Sequence, residues 1–132
     1  MTVKGYGSVK EPVKAVGDFV GTYLQHSRYE NISATELSKL LASPEPPMVV
    51  DCRAPEDYEE GHIKEALNIP YFEFNDTFAR IPVCPKVVTI CYVGIFSRVA
   101  AQKLATNGYP CVLSSEGGMA KWTKDSGPIE SE

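Results

Sequence analysis

Apolar positions along this chain follow two different periods. The sharpest run is Val87-Val88-Thr89-Ile90, β-branched throughout and bounded by loop residues, which predicts a buried strand. Met48-Val49-Val50-Asp51 is a second short run of the kind found in parallel strands. Residues 66–69 form a third, stopped by Pro70, and Cys111-Val112-Leu113 a fourth. Helical spacing separates these runs. Ser33 followed by Glu36 is a capping box that opens a helix through Leu37, Leu40 and Leu41, closed by Pro44, Pro46 and Pro47. Residues 57–61 read as a short helix before a turn at His62, and residues 73–80 as helical or irregular. Val99, Ala100, Leu104 and Ala105 place a helix over 97–107, with Gly108 at its C′ position. Gly117-Gly118 turns the chain into a final helix containing Trp122. Strands alternating with helices predict an α/β fold, a parallel sheet covered on both faces.

Residues 1–30 read as an N-terminal extension. Val13, Val16, Phe19, Val20 and Tyr23 or Leu24 recur at three- and four-residue spacing, which predicts an amphipathic helix packed on the outside of a main domain at 31–132. Gly17 and Gly21 weaken that helix, each by about 1 kcal/mol against alanine.

Composition narrows the function classes. A chain of 132 residues with 43% hydrophobic and 23% charged residues can bury a core without staples and is not disordered. A net charge of -4, with no basic run, argues against nucleic acid as a partner. No apolar stretch approaches the roughly 20 residues of a membrane-spanning helix. The first residues lack the apolar core of a secretory signal, so the expectation is a soluble, cytoplasmic protein without a membrane partner. Cys52, Cys84, Cys91 and Cys111 include no C-x-x-C pair, which fits neither a zinc ribbon nor a thioredoxin-type motif. The expectation is reduced thiols, one reactive and three structural, with no metal and no cofactor.

Cys91 is the reactive one. It follows a predicted strand and precedes a short loop and a helix, the place where open α/β sheets bind ligands. Backbone N–H groups of such a loop can curl around one point, and the helix adds its unpaired N–H groups and the positive end of its dipole. A sulfur at that focus is better stabilised as an anion, and the thiolate is the reactive form of cysteine. Gly94 supplies the tolerance of positive φ that a tight loop needs.

Three segments carry a family resemblance. VVDCRAPEDYEEGHIKEALNIP resembles the first signature of rhodanese-like domains, Cys91 to Ser97 their active-site loop, and EGGMAKW their closing segment, in family order over residues 31–128. The resemblance implies a doubly wound parallel sheet of about five strands with helices on both faces. It also implies a sulfurtransferase, in which Cys91 takes a sulfane sulfur from thiosulfate or another persulfide donor. The persulfide then passes to a thiol or cyanide acceptor, or to a protein acceptor. Tyr92, Val93, Gly94, Ile95, Phe96 and Ser97 would form a cradle of six amides around that sulfur. Asp51 and Arg53 match a pair that supports the loop side of the sheet, and Arg98 is a further supporting candidate. His62 and Trp122 match structural positions.

Two departures qualify this. Phe96 stands where the family often has arginine, and a phenyl ring cannot hold an anionic donor; weak use of thiosulfate is expected. Ser97 stands where phosphatases of related architecture carry their phosphate-binding arginine, which argues against phosphatase or arsenate reductase chemistry. A rhodanese-like binding module without turnover is the remaining alternative. Cys84, between Pro82 and Pro85, is the candidate exposed thiol.

Overall fold

The computed structural model describes residues 28–131, so the expected N-terminal helix lies outside the described residues. Five strands form one parallel sheet: β1 (Glu30–Ile32), β2 (Met48–Asp51), β3 (Leu67–Asn68), β4 (Val87–Ile90) and β5 (Val112–Ser115). Their order across the sheet is β1-β5-β4-β2-β3. The helices are α1 (Ala34–Leu41), α2 (Pro55–Glu60), α3 (Phe74–Thr77), α4 (Ile95–Thr106) and α5 (Gly118–Lys124). Single 3-10 turns flank α3 at Tyr71–Glu73 and Phe78–Arg80.

β4 is the centre of the sheet, paired with β2 on one edge and β5 on the other. Its four residues are buried on both faces, which is why its sequence is apolar and β-branched without alternation. Val50, Val87 and Cys91 share one apolar layer with Ala100, Ala101 and Leu104 of α4. Val49, Val88 and Ile90 share the other with Leu37 of α1 and Met119 and Trp122 of α5. Val87, Val88 and Ile90 are fully buried, and each contributes roughly 1.5–3 kcal/mol by leaving water. The strand that delivers Cys91 therefore cannot shift without exposing both cores.

The capping box forms as the sequence predicts: Glu36 N–H donates to Ser33 Oγ at 3.0 Å, and Ser33 N–H donates to Glu36 Oε1 at 2.9 Å. Other boundaries move for identifiable reasons. α2 begins at Pro55, which occupies the first helical position where its missing N–H costs nothing. β3 is shorter than residues 66–69, because Ala66 N–H is already bonded to Ile63 O in a turn. β5 starts after Cys111 and runs into Ser114 and Ser115, polar residues that no hydrophobic pattern would include. β1, three residues long, gave no periodic signal.

α4 begins at Ile95, two residues before the predicted start at Ser97. Its N-cap is Gly94, with φ of 102°, so the chain turns into the helix without a capping side chain. At the β5–α5 junction, Gly118 has φ of 57°, and the N–H groups of Met119 and Ala120 donate to the carbonyls of Cys91 and Tyr92. A Cβ on Gly118 would lie 2.3 Å from Cys91 O and 2.5 Å from Tyr92 O. Gly118→Ala is expected to cost about 2–5 kcal/mol from left-handed strain plus overpacking. Denaturant unfolding of the two proteins measures that loss.

Candidate active site

The carboxyl ends of β4, β2 and β5 and the N-terminus of α4 meet at Cys91. Its side chain accepts two backbone hydrogen bonds, from Gly94 N–H at 3.2 Å and Ser97 N–H at 3.3 Å. Both donors belong to the tight turn into α4, where N–H groups have no intrahelical partner. The sulfur thus takes the place of a capping side chain, and the positive end of the helix dipole faces it. Of the six expected cradle residues, these two bond to the sulfur among the described residues. The amides of Tyr92, Val93, Ile95 and Phe96 do not.

Ser97 is fixed from below. Its carbonyl accepts from Thr89 Oγ1 at 2.7 Å, and its hydroxyl shares a 2.9 Å hydrogen bond with Ser114. Thr89, Ser97 and Ser114 are all buried, so hydroxyls on two central strands set the height of the first helical turn. Thr89 and Ser114 were not singled out from the sequence. Their only signal there is a hydroxyl residue inside, or just after, an otherwise apolar run.

Asp51 and Arg53 form a buried pair beside the site. Asp51 accepts from the Arg53 backbone N–H, Nε and Nη2, at 3.0, 3.0 and 2.8 Å. Arg53 Nη2 also donates to Gly61 O at 2.7 Å, and Asn68 Nδ2 donates to the carbonyls of both Asp51 and Arg53. The pair therefore locks the β2–α2 turn against the end of α2 and β3. No hydrogen bond joins it to the Cys91 sulfur among the described residues. His62 is also structural: its ring stacks on Tyr58 at 3.8 Å, and its backbone pairs with Glu130. Trp122 is buried, with Nε1 donating to Pro128 O.

The rim is apolar. Tyr92, Val93, Ile95 and Phe96 are exposed, between 45% and 65% of their surface. The Phe96 ring stacks on Tyr71, centroids 4.0 Å apart, so an aromatic pair stands where a guanidinium was the expected alternative. Arg98 is exposed and lines a groove of about 760 Å³ along α4 with Phe96, Tyr71, Phe74 and Lys103. It supports none of the cradle hydrogen bonds. Cys84 is half-buried and precedes β4, at the opposite end of that strand from Cys91. Cys52, in contrast, is fully buried beside Cys91.

Comparison with known proteins agrees with the fold. A family model described as the rhodanese-like domain matches residues 33–125. A sulfurtransferase of Allochromatium vinosum is 34% identical over 98 residues, covering 74% of this chain and 92% of its own. The thiosulfate sulfurtransferase GlpE of Pseudoalteromonas translucida is 32% identical over 99 residues, covering 71% of this chain and 89% of its own. The crystal structure of a rhodanese-related protein from Thermoplasma volcanium superposes with a TM-score of 0.72 at 27% identity, covering 79% of this chain and all of that one. The chain belongs to the rhodanese-like domain family.

Proposed function

We propose that this protein is a sulfurtransferase that carries a sulfane sulfur as a persulfide on Cys91. The observation that carries the reading is the convergence of the Gly94 and Ser97 amides on the Cys91 sulfur, at the carboxyl end of the central strand. An anionic sulfur accepts such donors better than a thiol does. Relatives named sulfurtransferase and thiosulfate sulfurtransferase support the sulfur-transfer part of this reading.

The reaction has two covalent steps. The Cys91 thiolate attacks the outer sulfur of thiosulfate, the donor S–S bond breaks, and sulfite leaves with the bonding pair. An acceptor, cyanide or a thiolate, then attacks the outer sulfur of the persulfide, and the Cys91 thiolate is regenerated. In both steps negative charge shifts onto or off a sulfur facing the turn into α4. Fixed backbone donors stabilise that charge without reorganising. The acceptors are thiols of the cytoplasm or a protein thiol docking on the apolar rim. A phosphatase reading has no comparable support, because Ser97 occupies the position where a phosphate-binding arginine would stand.

Thiosulfate is a dianion, and the Tyr71–Phe96 stack offers it no cation. Weak turnover with thiosulfate, and better turnover with a less charged persulfide donor, follow. Incubation with a sulfane donor is expected to add one sulfur atom to Cys91, read by mass spectrometry; Cys91→Ser gains none. A wild-type protein that gains no sulfur from any donor is instead a binding module. Phe96→Arg is expected to raise kcat/KM for thiosulfate roughly 10–100-fold, the equivalent of one charge-assisted hydrogen bond. Steady-state thiocyanate formation measures it.

A further inference from the structure

Sulfur transfer through Cys91 leaves one buried thiol at the site without a role. Cys52 follows Asp51, and Asp51 stands in register with Ile90 across the β2–β4 ladder, so Cys52 is the cross-strand neighbour of Cys91. Cys52 N–H donates to Ile90 O at 2.8 Å, which carries the ladder up to this pair. Neighbouring strands lie roughly 4.8 Å apart, within the Cα separation of roughly 4.4–6.8 Å that a disulfide spans. Both side chains belong to the same apolar layer, on the α4 face of the sheet. Burial pushes the Cys52 thiol far above the ordinary cysteine range, and the charges of Cys91 and Asp51 push it further.

We propose that Cys52 is the internal acceptor of this site: when no external acceptor arrives, its sulfur displaces the sulfane sulfur of the Cys91 persulfide as sulfide and leaves a Cys52–Cys91 disulfide. The inference rests on the sulfurtransferase reading above. The balance needs no added oxidant, because the sulfane sulfur is itself the oxidant. The bond between Cys91 Sγ and the outer sulfur breaks and the bond between the two Sγ atoms forms. The outer sulfur leaves with the electron pair and collects the protons of the persulfide and of Cys52, as hydrogen sulfide. A dithiol reductant then reopens the disulfide, and with thiosulfate present the net reaction yields sulfite, sulfide and oxidised dithiol.

The two acceptors reach different atoms. An external thiol comes from solvent and meets the outer sulfur. Cys52 comes from the adjoining strand, inside the core, and meets Sγ. The Gly94 and Ser97 amides stand on the loop side of that sulfur, where they stabilise the departing anion. Because burial keeps Cys52 protonated, it is a slow nucleophile. External acceptors therefore take the sulfur first, and the internal route empties a site that has been left loaded.

The test uses full-length protein loaded with polysulfide, freed of donor and left without acceptor. The expected result is sulfide release in step with a mass change from one added sulfur to the loss of two hydrogens, and a peptide map joining Cys52 to Cys91. Cys52→Ser and Cys52→Ala are expected to keep the added sulfur on Cys91, which also reports their folding, and to release sulfide at least about tenfold more slowly. Cys84→Ser should match wild type. Unchanged release from either Cys52 variant, or a loaded wild-type Cys91 that persists with no disulfide, overturns the proposal and leaves the sulfurtransferase reading intact. A wild-type Cys91 that takes up no sulfur overturns both.

Discussion

The position of the Cys91 sulfur depends on the pairing of β4 along both of its edges. A strand hydrogen-bonded to β2 and β5 and packed on both faces has no direction in which to relax. Close packing makes any displacement expensive. The carbonyls beyond the strand are also tied down, because Met119 and Ala120 donate to Cys91 and Tyr92. The chain thus leaves the sheet at a fixed point and must turn at once into α4.

That abrupt turn brings backbone donors to the sulfur. A helix normally satisfies its first N–H groups with a side-chain cap or with water. Here the cap is a glycine with no side chain, and the N–H of Gly94 and of Ser97 fall to the sulfur. The Thr89 and Ser114 hydroxyls hold the Ser97 carbonyl and hydroxyl in place, so Ser97 N–H stays aimed at the sulfur. Packing fixes the strand, the strand fixes the turn, and the turn directs its donors at one atom.

The sequence made most of this fold legible because β2, β4 and α1 each carry a strong local signal: an unbroken apolar run in the strands, a capping box in the helix. Cys91 and Gly94 were legible for the same reason, standing where a buried strand gives way to a helix. What escaped was set by tertiary contact. α4 starts two residues early because glycine caps it, whereas sequence patterns look for a polar capping side chain. β5 extends through Ser114 and Ser115 because they pair with β1 and β4 and the Ser114 hydroxyl finds Ser97 on α4, rather than because of any periodicity. Cys52 reads as core filling from the sequence, and it is core. Its relation to Cys91 appears only once β2 and β4 are set in register. The six-amide cradle was likewise a property of loop connectivity, and folding directs two of those amides at the sulfur.

The hydroxyl staple beneath Ser97 has a consequence for how such a site can diversify. It holds the first turn of α4 from the inside, through residues that face the sheet. Ile95, Phe96, Arg98 and Val99 face outward and carry no part of that support. The exposed face and the face that carries the Ser97 amide to the Cys91 sulfur are thus opposite sides of a single helical turn. Substitutions on the outer side can change the charge and shape presented to solvent, while the inner side keeps the Cys91 sulfur where it is. The exposed surface and the support of the sulfur can drift at independent rates within a stretch of five residues.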